Sequence, residues 1–486
     1  MRIFIIIIVL LVLLNTTAAL ITVFRKPRSI SSVLAWIMTL LFLPGIGFMI
    51  YLFCGRGING QKVFNLTSHD QEKIAEIKKM VDEDNLKSNE KLDINLLTDA
   101  RVLNKYFRNM DSSPLSKRNS LKIYTDGREK FDALFEDIRQ AKETVHVEYY
   151  SFFNDRIGNQ FLTLLGEKVK EGVAVHLIYD PWGSPGANKK FFAEFVSLGG
   201  KVAPFITSKN MISKTRLNYH LHRKIVVIDG KIGWTGGFNV GDQYLGESKK
   251  FGYWRDTHIR LVGTSVFSLQ EIFIMDWNAS VQHDSHTMEY LDSYFQIAED
   301  TELDNLALQV VSDGPDSEEE ILKSGFIKMI LSAEKSVWIQ TPYLIPDDSM
   351  INAILIAVRS GIDVRIMIPC MPDHPFIYRA TQYYANYLHK RGVKIYMYQN
   401  GFVHAKTMII DNEICMVGTT NQDIRSYALN FEVSTFIYDT KVSCELTQIF
   451  ESDIANSILL TDEIIRNQSH WLRFKQNFSR LLSPIL

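Results

Sequence analysis

Two stretches of the chain carry the same spacing of residue types suited to work on a phosphate. The first runs His222-Arg223-Lys224, four residues, Asp229, six residues, then Gly236-Gly237-Phe238-Asn239. The second runs His404-Ala405-Lys406, four residues, Asp411, six residues, then Gly418-Thr419-Thr420-Asn421. One such match among 12 histidines could be accidental. Two, with glycine and asparagine at the same downstream offsets, indicate a repeated site. Histidine titrates near neutrality, so one can attack phosphorus while the other donates a proton. Lys224, Lys406, Asn239 and Asn421 offer donors for non-bridging oxygens, where the transition state holds negative charge. Nothing in that charge balance calls for a bound metal or cofactor.

The spacing also dictates local geometry. Residues two apart in a strand share a face, so each His-Lys pair points at one site. The apolar runs Ile225–Ile228 and Thr407–Ile410 then form strand core, and Asp229-Gly230 and Asp411-Asn412 fall where a hairpin turn belongs. Asp229 and Asp411 are counted with the catalytic set, although the turn reading is the stronger one for both. A carboxylate should orient each histidine. The candidates are Asp256 and Glu432, which lie 34 and 28 residues after His222 and His404. Each is expected to accept a hydrogen bond from the histidine of its own half.

These residues must be positioned by the elements around them, and those elements repeat. Strands are expected at Leu121–Thr125, Thr144–Phe152 and Ala174–Tyr179, with helices at Lys130–Ala141 and Ile157–Glu171. The order returns as strands at Leu308–Ser312, Ser336–Leu344 and Val364–Ile368, with helices at 318–333 and Met350–Ser360. Aligned pairs are offset by similar amounts: Gly127 to Gly314 by 187, Gly172 to Gly361 by 189, and Val145 to Val337 by 192. A constant offset, element by element, marks a duplicated α/β domain. The halves are placed at 116–300 and 301–486, dividing within the acidic stretch near 296–306, with a site expected at their interface.

The first 55 residues differ from the rest. No charge occurs from Ile3 to Phe24 or from Val33 to Cys54, 22 positions each, long enough to cross a bilayer as helices. Arg2 followed by an apolar run toward Thr16, Thr17, Ala18 and Ala19 also fits a signal peptide. Continued apolarity to Phe24 and the second segment favour a transmembrane hairpin with Arg25, Lys26 and Arg28 in its turn. The flanks carry Arg2, Arg56 and Lys62, so basic residues balance and orientation is not set. Residues 56–115 read as a polar connector, in which Ile74, Ile77 and Val81 have helical spacing. A net charge of −2 provides no global field for nucleic acid. The four cysteines have no metal or disulfide spacing.

The duplicated motif resembles the phospholipase D superfamily, and the chain is more similar still to bacterial cardiolipin synthases. The closer resemblance rests on the apolar hairpin ending Tyr51–Arg56, on His146–Tyr150 and on Tyr253–Asp256. It rests also on Gln309–Ser317, Thr341–Asp347, Val364–Pro369, Gly401–Lys406 and Asn421–Ser426. Thr419 stands where such relatives often have serine. The resemblance implies two phospholipase D-like α/β sandwich domains related by a pseudo-twofold axis, both contributing to one site. It implies His222 as nucleophile and His404 as general acid, then base. The implied activity is transfer of a phosphatidyl group between two phosphatidylglycerols through a phosphohistidine, giving cardiolipin and glycerol. A hydrolytic phospholipase D or another phosphatidyltransferase is the alternative. The implied setting is the bacterial cell membrane, with phosphatidylglycerol and membrane lipid as partners and no nucleic acid.

Overall fold

A computed structural model describes residues 2–25, 30–43, 46–47, 64, 66–87, 97–110, 113–205, 219–281, 287–317, 319–481 and 483. The chain divides into two compact units, residues 1–63 with 208–219, and residues 64–207 with 220–486. In the first, helices Arg2–Arg25 and Ile30–Phe42 pack on one another. Side chains from Ile3 to Leu14 are exposed. Taken over the described residues alone, no helix is long and apolar enough to cross a membrane. The expected second span, 33–54, runs into residues outside those described.

The second unit contains both halves of the repeat. The first half forms a seven-stranded sheet. Its order is Asn119–Tyr124, His258–Gly263, Ile232–Gly236, Lys224–Ile228, Thr144–Tyr149, Ala174–Tyr179, Lys201–Pro204. The second half repeats it: Ala307–Asp313, Asn430–Tyr438, Ile414–Gly418, Thr407–Ile410, Ser336–Gln340, Asp363–Pro369, Lys394–Tyr398, with Ser457–Leu459 added at the edge. Each sheet mixes parallel strands with an antiparallel hairpin that carries the motif.

Strand alternation assigns the core. In Lys224–Ile228, Val226 and Ile228 point to the helices Gly127–Gln140 and Arg156–Lys170, among Phe131, Phe135 and Phe161. Ile225 and Val227 point the other way, into a core shared with Leu308, Val310, Ile409 and Val417 of the second half. In the second half Met408 and Ile410 face their own helices while Ile409 enters the shared core. Lys224–Ile228 and Thr407–Ile410 are therefore buried on both faces, which explains the apolar runs Ile225–Ile228 and Met408–Ile410.

Two expectations need correction. The strand expected through Leu344 stops at Gln340, because Pro342 cannot donate to the ladder. Leu344–Ile345 instead pairs with Gln422–Asp423. The stretch read as a polar connector contains helices Ser68–Asn85 and Leu97–Met110. Ile74, Ile77 and Val81 are buried as their spacing indicates, but the second helix is also a core element. Phe107 is fully buried, 4.4 Å from the Phe436 ring, and rests on Gly325, where a Cβ would lie 2.5 Å from it. Phe107→Ala should therefore cost about 3–5 kcal/mol. The thermal midpoint of the purified chain reads this loss, and an unchanged midpoint would show that the helix is peripheral.

Candidate active site

Each motif begins just before a strand and ends in its hairpin turn. The turn residues Asp229, Asp411 and Asn412 have φ of 50°, 55° and 61°, the left-handed region that Asp and Asn tolerate better than most residues. The Asp229 carboxylate accepts the backbone N–H groups of Lys142, Glu143 and Thr144 at 2.8, 2.8 and 2.9 Å. Asp411 does the same for Glu334, Lys335 and Ser336 at 2.7, 2.7 and 2.6 Å. Both sit at the opposite end of the strand from the histidine, roughly 20 Å away at the rise of an extended chain. Their counting with the catalytic set is corrected accordingly: they close the turn and pin the neighbouring strand.

The two histidines are placed by strand pairing between halves. His220–Leu221 runs parallel to Asn430–Phe431, and Phe402–Val403 runs parallel to Trp254–Arg255. The His222 N–H donates to the Phe431 carbonyl at 2.9 Å, and the His404 N–H to the Arg255 carbonyl at 2.7 Å. This exchange carries each ring to the other half's carboxylate. His222 Nδ1 lies 2.9 Å from Glu432, and His404 Nδ1 lies 2.7 Å from Asp256. The expectation of own-half pairing was wrong. The carboxylates follow their histidines at similar distances in sequence, but tertiary pairing decides the partner. A carboxylate at Nδ1 holds the proton there and leaves Nε2 free.

The remaining donors are buried beside the rings. Lys224 Nζ donates to the His222 carbonyl at 2.6 Å, and Lys406 Nζ donates to the His404 carbonyl. Asn239 accepts from the Ser151 N–H at 3.1 Å and donates to the Tyr244 hydroxyl at 3.2 Å. The Asn421 side-chain oxygen is buried without a hydrogen-bond partner among the described residues. Such a group is costly unless a ligand completes it.

Sequence reasoning missed several supports. Tyr150 packs against the His222 ring and Trp254 against the His404 ring, both at 5.1 Å. Asp180 accepts the Leu221 N–H at 2.9 Å and so steadies the segment leading to His222. The two halves also treat the residue after the motif's first glycine differently. Asp256 is one carbon shorter than Glu432 and packs so closely on Gly237 that a Cβ there would lie 1.8 Å from its Oδ1. In the second half the place is taken by Thr419, whose hydroxyl donates to Glu432. Gly237 against Thr419, like Asp256 against Glu432, was a visible sign of this asymmetry.

Burial shapes the charge. It pushes His404 down to about 4, with Lys406 adding to the effect and Asp256 opposing it. His222 is likewise held well below its ordinary value by burial, then by Lys224 and Lys406. Lys224 falls to about 7 and Lys406 to about 8 for the same reason. The carboxylates diverge. Burial raises Glu432 to about 7 despite Lys224 and the Thr419 hydroxyl. Burial acts upward on Asp256 too, but Lys406 and His404 outweigh it and keep its value lowered. The site thus gathers two neutral-leaning imidazoles and two ammonium groups that an anion would stabilise. Among the described residues, no group of three or more His, Cys, Asp or Glu side chains is arranged to hold a metal.

Two like sheets meeting at paired His-Lys motifs define the phospholipase D class of fold. The architecture is similar to phosphatidylserine synthase from Haemophilus influenzae, with TM-score 0.60 at 14% identity, over 79% of this chain and all of that one. The family model described as "Cardiolipin synthase, PLD-like domain" matches residues 134–252 and 326–454, and "Phospholipase_D-nuclease N-terminal" matches 4–56. Curated cardiolipin synthases are similar along nearly the whole chain. That of Listeria innocua is 44% identical, covering 97% of each chain. That of Staphylococcus aureus is 45% identical, covering 97% of this chain and 95% of its own. The chain belongs to the bacterial cardiolipin synthase family of the phospholipase D superfamily.

The lysines give a pH test. In the empty site they lose their charge as pH rises through about 7–8, and an anionic diester must then bind with proton uptake. The value of kcat/KM should therefore fall across that range, by up to about tenfold per unit for each lysine. Bound phosphate stabilises both ammonium groups, so kcat should hold to higher pH. A kcat/KM that stays flat to about pH 9 would contradict this charge assignment.

Proposed function

We propose that this chain makes cardiolipin from two phosphatidylglycerols, as the names of its relatives suggest. The observation that carries the mechanism is the exchanged His–carboxylate pair, which supports one site with two imidazoles whose Nε2 atoms face it. His222 Nε2 attacks phosphorus as the bond to the glycerol headgroup breaks. His404 gives its proton to the departing glycerol oxygen, and the phosphatidyl group rests on His222. A second phosphatidylglycerol then enters. Its headgroup hydroxyl gives its proton to His404, its oxygen bonds to phosphorus, and the P–N bond breaks. One diester is exchanged for another, so no nucleotide is consumed. Lys224, Lys406, Asn239 and Asn421 hold the non-bridging oxygens throughout.

The carboxylate asymmetry supports this division of roles. Burial holds His404 at about 4 in the empty site, and the negative charge of the bound diester, together with ionised Asp256, raises it toward the imidazolium that an acid requires. Glu432, whose proton affinity is raised, gives His222 less of that support, and burial with Lys224 and Lys406 keeps the ring neutral, as a nucleophile must be. Transfer must beat hydrolysis, so the acceptor is positioned and water held off. The N-terminal apolar segments are assigned to anchoring: two helices within 3–24 and 33–54 hold the chain in the bacterial membrane.

Purified protein incubated with phosphatidylglycerol vesicles should release cardiolipin and glycerol in equal amounts. Phosphatidic acid with glycerol and no cardiolipin would instead show a hydrolase. The two carboxylates should separate by leaving group. Asp256→Asn and Glu432→Gln should each slow turnover of phosphatidylglycerol by about ten- to ten-thousand-fold, as for carboxylates that orient a histidine. With a nitrophenyl phosphodiester, whose leaving group needs no proton, Asp256→Asn should recover most of its rate and Glu432→Gln should not. Recovery in Glu432→Gln instead would interchange the roles of His222 and His404.

A further inference from the structure

The helix His470–Leu481 is amphipathic in the wrong sense for a surface helix of a water-soluble protein. Its packed face is polar. Gln476 and Ser479 are buried, and Gln476 lies within hydrogen-bond reach of Asn386 and Gln382 on the helix Pro375–His389. Its apolar face points outward: Trp471 is 64% exposed, Phe474 57%, Phe478 47% and Leu481 73%. These positions follow helical spacing, and the rings form a continuous ridge. Trp471 stacks on Phe474 at 5.4 Å, and Phe474 on Phe478 at 6.3 Å. Scattered exposed apolar residues are ordinary, but a contiguous aromatic stripe calls for a cover.

The charge around the ridge identifies the cover. From Ile464 to Leu486 the sequence has four basic residues, Arg466, Arg473, Lys475 and Arg480, and no acidic one. Lys475 lies 5.6 Å from the Trp471 ring, at the edge of the stripe. A cleft of about 560 Å³ alongside the helix is lined by Lys390, Arg391, Arg466 and Arg473 against a single acid, Asp462. A ridge of Trp and Phe rimmed by Lys and Arg has the chemistry of a helix lying in the interface of an anionic bilayer. A protein partner of the same shape would not call for so strongly basic a rim.

We infer that His470–Leu481 is a membrane-docking helix: Trp471, Phe474, Phe478 and Leu481 enter the acyl boundary of a bilayer of anionic phospholipid, whose phosphates meet the rim of basic residues. This rests on the lipid-transferase reading, since it presses the catalytic unit onto the surface that holds its substrate. It adds a contact distinct from the N-terminal segments.

The test is made so that it does not depend on turnover. The full chain and its Trp471→Phe variant are placed in vesicles of phosphatidylcholine alone or of phosphatidylcholine with phosphatidylglycerol, with bromine on the acyl chains. The difference between the two proteins isolates Trp471 emission. Bromine should quench that component by about half or more in phosphatidylglycerol vesicles and little in phosphatidylcholine alone. Lys475→Glu should reduce the quenching. Equal quenching in both lipids would overturn the anionic requirement. No quenching in either, with Trp471 open to aqueous acrylamide, would overturn docking. Shielding from acrylamide without bromine quenching would mean that another protein surface covers the ridge, and would overturn it too. Trp471→Ser with Phe474→Ser should raise the apparent KM on bilayers about fivefold or more while leaving turnover of detergent-dispersed lipid unchanged. If the unaltered chain makes no cardiolipin but the bromine result holds, the lipid contact stands and the catalytic reading alone fails.

Discussion

Each motif histidine reaches its carboxylate only by crossing into the other half of the molecule. His220–Leu221 adds to the second half's strand at Asn430–Phe431, and Phe402–Val403 adds to the first half's segment Trp254–Arg255. These two short parallel pairings set the histidine backbones, and the backbones set Nδ1 against Glu432 and Asp256. The shared core of Ile225, Val227, Ile409 and Val417 holds the two sheets in register behind them. A site built this way cannot be supplied by one half alone. A one-residue slip in either of these strand pairings would turn that strand's faces over and take the imidazole from its partner.

The same arrangement stores an electrostatic debt at the centre of the molecule. Two lysines and two histidines are buried together, and burial lowers all four. Asp256 and Glu432 compensate in part. A phosphodiester would complete the balance, so the substrate's own charge is one of the interactions that stabilise the ionised site. The duplication is not a perfect copy. Gly237 makes room for the shorter Asp256, while Thr419 gives a hydroxyl to the longer Glu432. Burial raises the proton affinity of Glu432 even against that hydroxyl, while Lys406 and His404 keep Asp256 lowered, so two similar histidines have different surroundings.

Much of this was legible in the sequence because local physics decided it. Ala174–Tyr179 has the expected bounds, and the helix bearing Ile74, Ile77 and Val81 buries those residues. Asp229-Gly230 and Asp411-Asn412 announced their turns through residue types that accept positive φ. The paired His-Lys motifs were visible because their spacing lies within a single strand entry. What was hidden depends on tertiary pairing. Sequence distance joins Asp256 to His222, whereas the fold joins it to His404. Leu103, Phe107 and Met110 have helical spacing, but nothing local indicates that Gly325 of the second half leaves a place for Phe107. The outward apolar face of His470–Leu481 was likewise hidden, since a helical pattern alone does not say which face is buried.

The exchanged pairing is most directly tested by nuclear magnetic resonance of the chain labelled with ¹⁵N at histidine. A proton held between Nδ1 and a carboxylate gives a distinct low-field signal, and His222→Gln and His404→Gln assign the two. Glu432→Gln should displace the His222 signal and leave that of His404 in place, while Asp256→Asn should do the reverse. Displacement of the His404 signal by Glu432→Gln, with His222 unaffected, would contradict the crossed arrangement on which the site depends.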